Sequence, residues 1–111
     1  MEDPSRDHVG RRLTALWLCA LYRRSLHLRC PACQHQRLID AIPVWWLFKR
    51  RRWSETLRDV PPRFYCSRCL ADRGRRTRGP RLTISLDPAE PCDLPYPDER
   101  EWKRMVSRYR G

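Results

Sequence analysis

The chain has 111 residues, enough for one domain with appendages, and carries 24 Lys and Arg against 13 Asp and Glu, a formal charge of +11. A chain this short builds a modest apolar core and gains from a metal or disulfide staple, and no apolar run approaches the roughly 20 residues that a bilayer crossing needs. Twenty-two of the 24 basic residues are arginine and asparagine is absent; coding bias from a GC-rich genome accounts for the choice of arginine over lysine, but it does not create the net charge.

The charge is uneven: +3 over residues 1–29, +9 over 30–81 and −1 over 82–111. An excess of this kind in mid-chain points to an acidic partner such as nucleic acid. In the N-terminal segment, 1–24, the run "RRLTALWLCALYRR" lacks a small-x-small cleavage site, and its paired arginines are a weak match to a twin-arginine signal. Leu13, Leu16, Trp17, Ala20 and Leu21 instead follow i, i+3, i+4, i+7, i+8, which predicts an amphipathic helix over 10–22.

"SLHLRC" alternates, with Leu26, Leu28 and Cys30 on one face, and predicts a strand; "RLID" at 37–40 is its return partner. Pro43 suits the first turn of a helix running to about Arg51, and Ser54 can cap a second short helix that stops before Pro61-Pro62. On the first of these helices Val44, Leu47 and Phe48 share a face with Trp45 beside Phe48, while Trp46 points elsewhere. The stretch "AIPVWWLFKRRRW" therefore reads as core rather than as a membrane foot, with Trp45, Leu47 and Phe48 acting through packing. Lys49 to Arg52 close the helix C-terminus, where cations are favoured.

"RFYC" enters as a strand, 73–81 is a loop with five arginines, and "LTISL" at 82–86 alternates again as a strand. Residues 87–97 hold four prolines and form an extended linker. Asp98-x-x-Glu101 has the pattern of a capping box, and Trp102, Met105, Val106 and Tyr109 follow helical spacing over 98–111. That last helix has one apolar face, to be laid on its own domain or on a partner protein.

Four of the six cysteines form two C-x-x-C pairs, Cys30/Cys33 and Cys66/Cys69. Two residues between thiols let one tight turn present both sulfurs to a single ion, and two such turns complete a tetrahedral zinc site. One zinc ion is thus the expected cofactor, and its reduced thiols imply a reducing compartment, the cytoplasm. A glutaredoxin-type redox reading of "CPAC" leaves the second pair unexplained, and two disulfides would need a secretory signal. His27 and His35 flank the first pair as ordinary polar residues; Cys19 packs in its helix, and Cys92 is a free thiol in the linker.

Strand, "CPAC", insertion, "FYCSRC", strand resembles the zinc-ribbon family, and "LRCPAC…WWLF…RFYCSRC" resembles small zinc-ribbon proteins of proteobacteria. The resemblance covers roughly residues 25–86 and implies that Cys30, Cys33, Cys66 and Cys69 are the ligands. It also implies a small α+β fold: a zinc ribbon of short antiparallel strands with a helical insertion at 41–60 and flanking N- and C-terminal helices. Ribbons often place glycine after the second cysteine of each turn; Gln34 and Leu70 stand there, so less regular turns are expected. Many ribbons bind DNA or RNA, and many others only hold proteins together.

With all four ligand positions filled and no paired carboxylates or Ser/His pattern, no catalytic residue, no organic cofactor and no small-molecule substrate is expected. Four zinc-bound thiolates carry −4 against +2, which Arg29, Arg63 and Arg68 can offset; the protein stays strongly basic. The favoured reading is a non-enzymatic accessory or regulatory factor that neutralises phosphates of DNA or RNA with Lys49, Arg50, Arg51, Arg52, Arg73, Arg75, Arg76, Arg78 and Arg81. The alternative is a structural or interaction adaptor that presents Trp102, Met105, Val106 and Tyr109 to a protein partner.

Overall fold

A computed structural model describes residues 3–110; the outermost residues of the predicted terminal segments, 1–2 and 111, lie outside the described residues. The chain forms helix α1 (Leu16–Leu21), strands β1 (Ser25–Arg29) and β2 (Gln36–Asp40), helix α2 (Ala41–Arg51), two single 3-10 turns (Leu57–Asp59 and Pro61–Arg63), helix α3 (Ser67–Arg73), strand β3 (Arg81–Ser85) and helix α4 (Glu99–Arg110). The result is a small α+β fold around one antiparallel sheet of order β2-β1-β3. No helix among the described residues is long and apolar enough to cross a membrane.

The first helix is shorter than its periodicity suggests. Residues before it are held by other partners. The Asp7 carboxylate accepts from the backbone N–H of Val9 and Arg11, Gly10 turns the chain at φ +85°, and Leu13 N–H donates to Ser5 O. Buried Arg24 then pins this segment by donating to the carbonyls of Pro4 and Arg6. Leu13 still reaches the core, but from a loop. Helix α1 begins where Leu16 N–H finds the Glu55 carbonyl, at 2.8 Å, in place of a side-chain cap.

Both predicted strands of the first hairpin form, and "LTIS" supplies β3. Leu26 pairs with Ile39 on one side and Ile84 on the other, and Leu28 pairs with Arg37 and Leu82. Because side chains alternate, Leu26, Leu28, Ile39, Leu82 and Ile84 share the inner face. Helix α2 follows β2 without a loop: the Asp40 carboxylate accepts from Ile42 N–H at 2.9 Å, a side-chain N-cap. The helix ends at Arg52 in the left-handed region, φ 57°.

Helix α2 is the centre of the core. Ala41, Ile42, Pro43, Val44, Trp45 and Phe48 are all buried. Trp46 and Leu47 are half-buried against the same cluster, so Leu47 contributes less than its spacing implies. Phe48 sits edge-on to Trp53 and stacks on Phe64, with ring centroids 5.1 and 6.2 Å away.

Between α2 and the second cysteine pair the expected helix is absent. Ser54 does not cap a helix; its hydroxyl donates to the Asp59 carboxylate at 2.7 Å. The two 3-10 turns replace it, since Pro61-Pro62 cannot donate to a continuing α-helical ladder. "RFYC" is likewise not a full strand: Tyr65 makes one bridge, to Arg78.

The proline-rich segment 87–97 runs extended along the β2 side of the sheet, tied by Glu90 N–H to Leu38 O at 2.8 Å and by Tyr96 Oη to the Asp40 carboxylate at 2.9 Å. Helix α4 starts as the sequence implies, with the Asp98 carboxylate accepting from Glu101 N–H; Glu101 itself pairs forward with Arg104. The helix lies on its own domain. Met105 is 1% exposed, Tyr109 stacks on Trp17 at 3.8 Å, and Trp102 meets Trp45 edge-on beneath the Arg23 guanidinium. Of this apolar face Met105 is buried, Trp102 and Val106 are half-buried, and Tyr109 stays exposed beside its stack on Trp17.

Phe48→Ala should cost about 3–5 kcal/mol of stability, because a fully buried ring with aromatic neighbours on two sides leaves a cavity that they cannot refill. Chemical denaturation of the wild type and the variant measures this; an unchanged midpoint would make the α2 stretch a surface.

Candidate metal centre and its basic surround

The first cysteine pair lies on the turn that joins β1 to β2. Cys30 N–H donates to His35 O at 2.9 Å and Gln34 N–H to Cys30 O at 3.0 Å, which closes a tight loop around residues 30–35. Gln34 takes φ 64°, the conformation for which glycine is usual, so the turn keeps its regular shape without glycine. Its side-chain amide donates to Pro31 O, a local bond that helps hold the strained residue.

The second pair differs from the expected second turn. Cys66 is the N-cap of α3 and Cys69 lies in its first turn; the Cys66 sulfur accepts from Cys69 N–H at 3.4 Å. Leu70 is therefore inside a helix and needs no positive φ. Cys66 N–H donates to Thr77 O, which fastens the start of α3 to the loop that follows it. The sequence signal for α3 was present but weak: Gly74, at φ 65°, ends the helix as a C-terminal glycine does.

These two units bring four sulfurs together. Cys30 Sγ lies 3.7 Å from Cys69 Sγ, and Cys33 Sγ lies 3.5 Å from Cys66 Sγ; all four are within 4.8 Å of one another. A disulfide needs about 2.05 Å, and the six cysteines are free thiols. The ionisation of the cluster is divided. Burial works against a Cys30 thiolate, but N–H groups of Cys33 and Ala32 directed at its sulfur prevail and bring its pKa down to about 6. Cys33 receives the His35 N–H, yet burial and the neighbouring thiols push it up to about 11. Four thiolates in this space repel one another, and a cation at their centre relieves that repulsion; the donor set could hold one metal ion.

The remaining candidates lie elsewhere. Cys19 is fully buried in α1 and pushed up to about 12 by that burial, an inert thiol. Cys92 is half-buried in the extended segment. The His27 ring bridges Gln36 and Thr83 on the outer face of the sheet.

The cations fall into two groups. Arg73 ends α3; Arg75, Arg76 and Arg78 are exposed in the loop beyond it, and Arg81 opens β3 directly opposite Arg29 of β1. At the α2 C-terminus, Arg50, Arg51 and Arg52 are exposed. Lys49 is not: it is half-buried with its ammonium 5.3 Å from the Trp45 ring. Lys49 also faces Glu55, whose carboxyl is pushed up by burial and pulled back by that lysine.

Among the described residues none of these arginines has an ion pair. Several lie on rings instead. Arg51 and Arg63 flank Trp53 at 5.9 and 4.3 Å, Arg50 lies over Trp46, and Arg76 lies 4.9 Å from the exposed Tyr65 ring. Sequence reasoning gave Arg63 only the role of offsetting the thiolates and did not single out Trp53 or Tyr65; the available signal was the alternation of aromatics and cations in "RRRW" and "RFYC".

In comparisons with known proteins, no family model matches the chain, and no curated protein or solved structure matches it.

Native mass spectrometry should find one metal ion per chain, lost on acidification because protons compete for the thiolate lone pairs. Cys69→Ser should lose the ion and with it the cooperative thermal transition. A metal-free wild type of unchanged thermal stability would contradict the centre.

Proposed function

We propose that the protein is a non-enzymatic zinc-binding protein that holds nucleic acid on an arginine-rich surface built around the metal centre, as an accessory or regulatory factor. Zinc suits the donor set. A Zn–S bond of about 2.3 Å in a tetrahedron gives a sulfur–sulfur edge of about 3.8 Å, close to the 3.5 and 3.7 Å separations of the two cross-pairs. Four protein thiolates fill the shell, so the ion is structural rather than catalytic. The β-hairpin turn of the first pair supports the zinc-ribbon reading; the second pair, at the start of a helix, departs from it. Free thiols suit the reducing environment of a cytoplasm.

The observation that carries the nucleic-acid reading is the state of the cations. Arg75, Arg76, Arg78 and Arg81 are exposed, without carboxylate partners among the described residues, on a loop held at its middle by the Cys66–Thr77 bond and at its end by β3. A cation stacked on an aromatic ring keeps its full charge for a phosphate, whereas one in an ion pair does not. The adaptor alternative has less surface to offer, since Met105 is buried and Trp102 packs on Trp45; Tyr109, stacked on Trp17, stays exposed.

Log affinity for duplex or single-stranded oligonucleotides should fall linearly with log salt, at a slope near −0.9 per duplex phosphate contacted and about −0.7 on single strands. Replacing Arg75, Arg76 and Arg78 together by Ala should flatten the slope and weaken all sequences alike, with zinc content unchanged. Gel-shift titrations at several salt concentrations test this, and no shift at ~50 mM salt would overturn the reading.

A further inference from the structure

Beside the cysteine cluster, between the inner face of the sheet and residues 64–67, lies a cavity of about 180 Å³. Leu28 and Ile39 line it from the sheet, and Phe64 and Tyr65 supply aromatic surface. Its size is below the roughly 300–1,000 Å³ of sites that take drug-sized ligands, which suits one planar ring system.

Arg37, His35 and Ser67 break this apolar lining, and Cys30 and Cys66 of the thiol cluster also line the cavity. Arg37 lies on the inward side of β2, directly opposite Leu28 and two residues before buried Ile39. Neither the Arg37 guanidinium nor the His35 ring has a hydrogen bond or ion pair among the described residues. Arg37 as a residue is half-buried, while its guanidinium nitrogens still reach solvent and are claimed by no protein group among the described residues. The cavity also adjoins the arginine loop. Pro80 lines it, Tyr65 bridges to Arg78, and the Arg76 guanidinium lies over the Tyr65 ring.

We propose that this cavity takes a single unstacked base of single-stranded nucleic acid, guanine in preference to the others, while the loop arginines hold the adjoining phosphates. The inference rests on the nucleic-acid reading and deepens it. A base inside a duplex is paired and stacked and cannot enter a closed pocket, whereas a splayed base can rest on aromatic side chains and be read on its edge. Arginine's forked donors match the O6 and N7 acceptors of guanine.

The test uses the zinc-loaded full chain and fluorescence anisotropy at ~100 mM salt, where phosphate contacts alone are already weakened. The probes are labelled oligo(U), oligo(U) with one central guanosine, the DNA equivalents of both, and duplexes of equal length. The guanosine strand should bind tighter than oligo(U) by about 5- to 150-fold, the range for one bidentate contact, and tighter than the duplex. Arg37→Lys keeps the charge and loses the fork, so it should abolish the guanosine preference with the salt slope unchanged. On the wild type, guanosine monophosphate should shift the NMR amide signals of Leu28, Ile39, Phe64 and Tyr65.

If the duplex binds as well as the single strand and guanosine confers no preference, the cavity proposal falls and the arginine surface stands. Failure of every probe at ~50 mM salt removes both. A preference retained by Arg37→Lys, or shifts confined to residues 75–81, also overturns the cavity; Arg37 is then an inward charge that guards the β2 edge against strand addition.

Discussion

Thirty-two residues separate Cys33 from Cys66, and the meeting of their sulfurs is the constraint from which the basic surface follows. The buried residues form two groups. One is apolar, built from α1, α2, the sheet and Met105. The other consists of the cysteines, with no large apolar side chain buried among them. Hydrophobic burial can explain the first group but not the second. A cation shared by the four sulfurs could hold the start of α3 against the β1–β2 turn, and its binding free energy would then act as folding free energy. The loop of 74–80 inherits its position from this junction, through the Cys66–Thr77 and Phe64–Gly79 backbone bonds.

Charge is managed in an unusual way around that junction. A formal charge of +11 invites neutralisation by carboxylates, yet the ion pairs among the described residues belong to the N-terminal loop and α4. Around the cysteine cluster and the end of α2 the partners are rings: Trp46, Trp53 and Tyr65. Stacking orders a guanidinium without neutralising it. The thiolate cluster offsets part of the field with a net −2 when a divalent ion is bound. The remainder is positive charge on a rigid frame, the electrostatic condition for gathering phosphates.

The C-terminal third serves the opposite purpose. Its proline-rich segment takes one hydrogen bond along the β2 side of the sheet, where an open edge would otherwise invite pairing with another chain. Helix α4 then covers Trp17 and Trp45 with Tyr109, Met105 and Trp102. The near-neutral charge of 82–111 fits a segment that closes the fold rather than one that meets an anion.

Much of this organisation was legible in order along the chain. Alternation at 26–30 and 82–86, the helical spacing around Trp45 and Phe48, the Asp98 cap and the doubled C-x-x-C are local patterns, and each names its element because its cause lies within a few residues. The misreadings share the opposite cause. Residues 10–15 have helical periodicity, but Asp7 takes the Gly10 and Arg11 N–H groups and Ser5 takes that of Leu13. Ser54 is a good cap in isolation, but Asp59 and Pro61-Pro62 redirect it. Helix α3 overlaps a metal motif that seemed already assigned.

The sequence by itself determined which sulfurs could share an ion, which segments are apolar and where positive charge is concentrated, since composition and short-range periodicity decide these. Only the tertiary structure decided that α4 lies on its own domain, that Lys49 is half-buried while Arg75, Arg76 and Arg78 stay exposed, and that Arg37 lines a cavity beside Tyr65. Those outcomes depend on which surfaces meet across tens of residues, and no local pattern encodes the meeting.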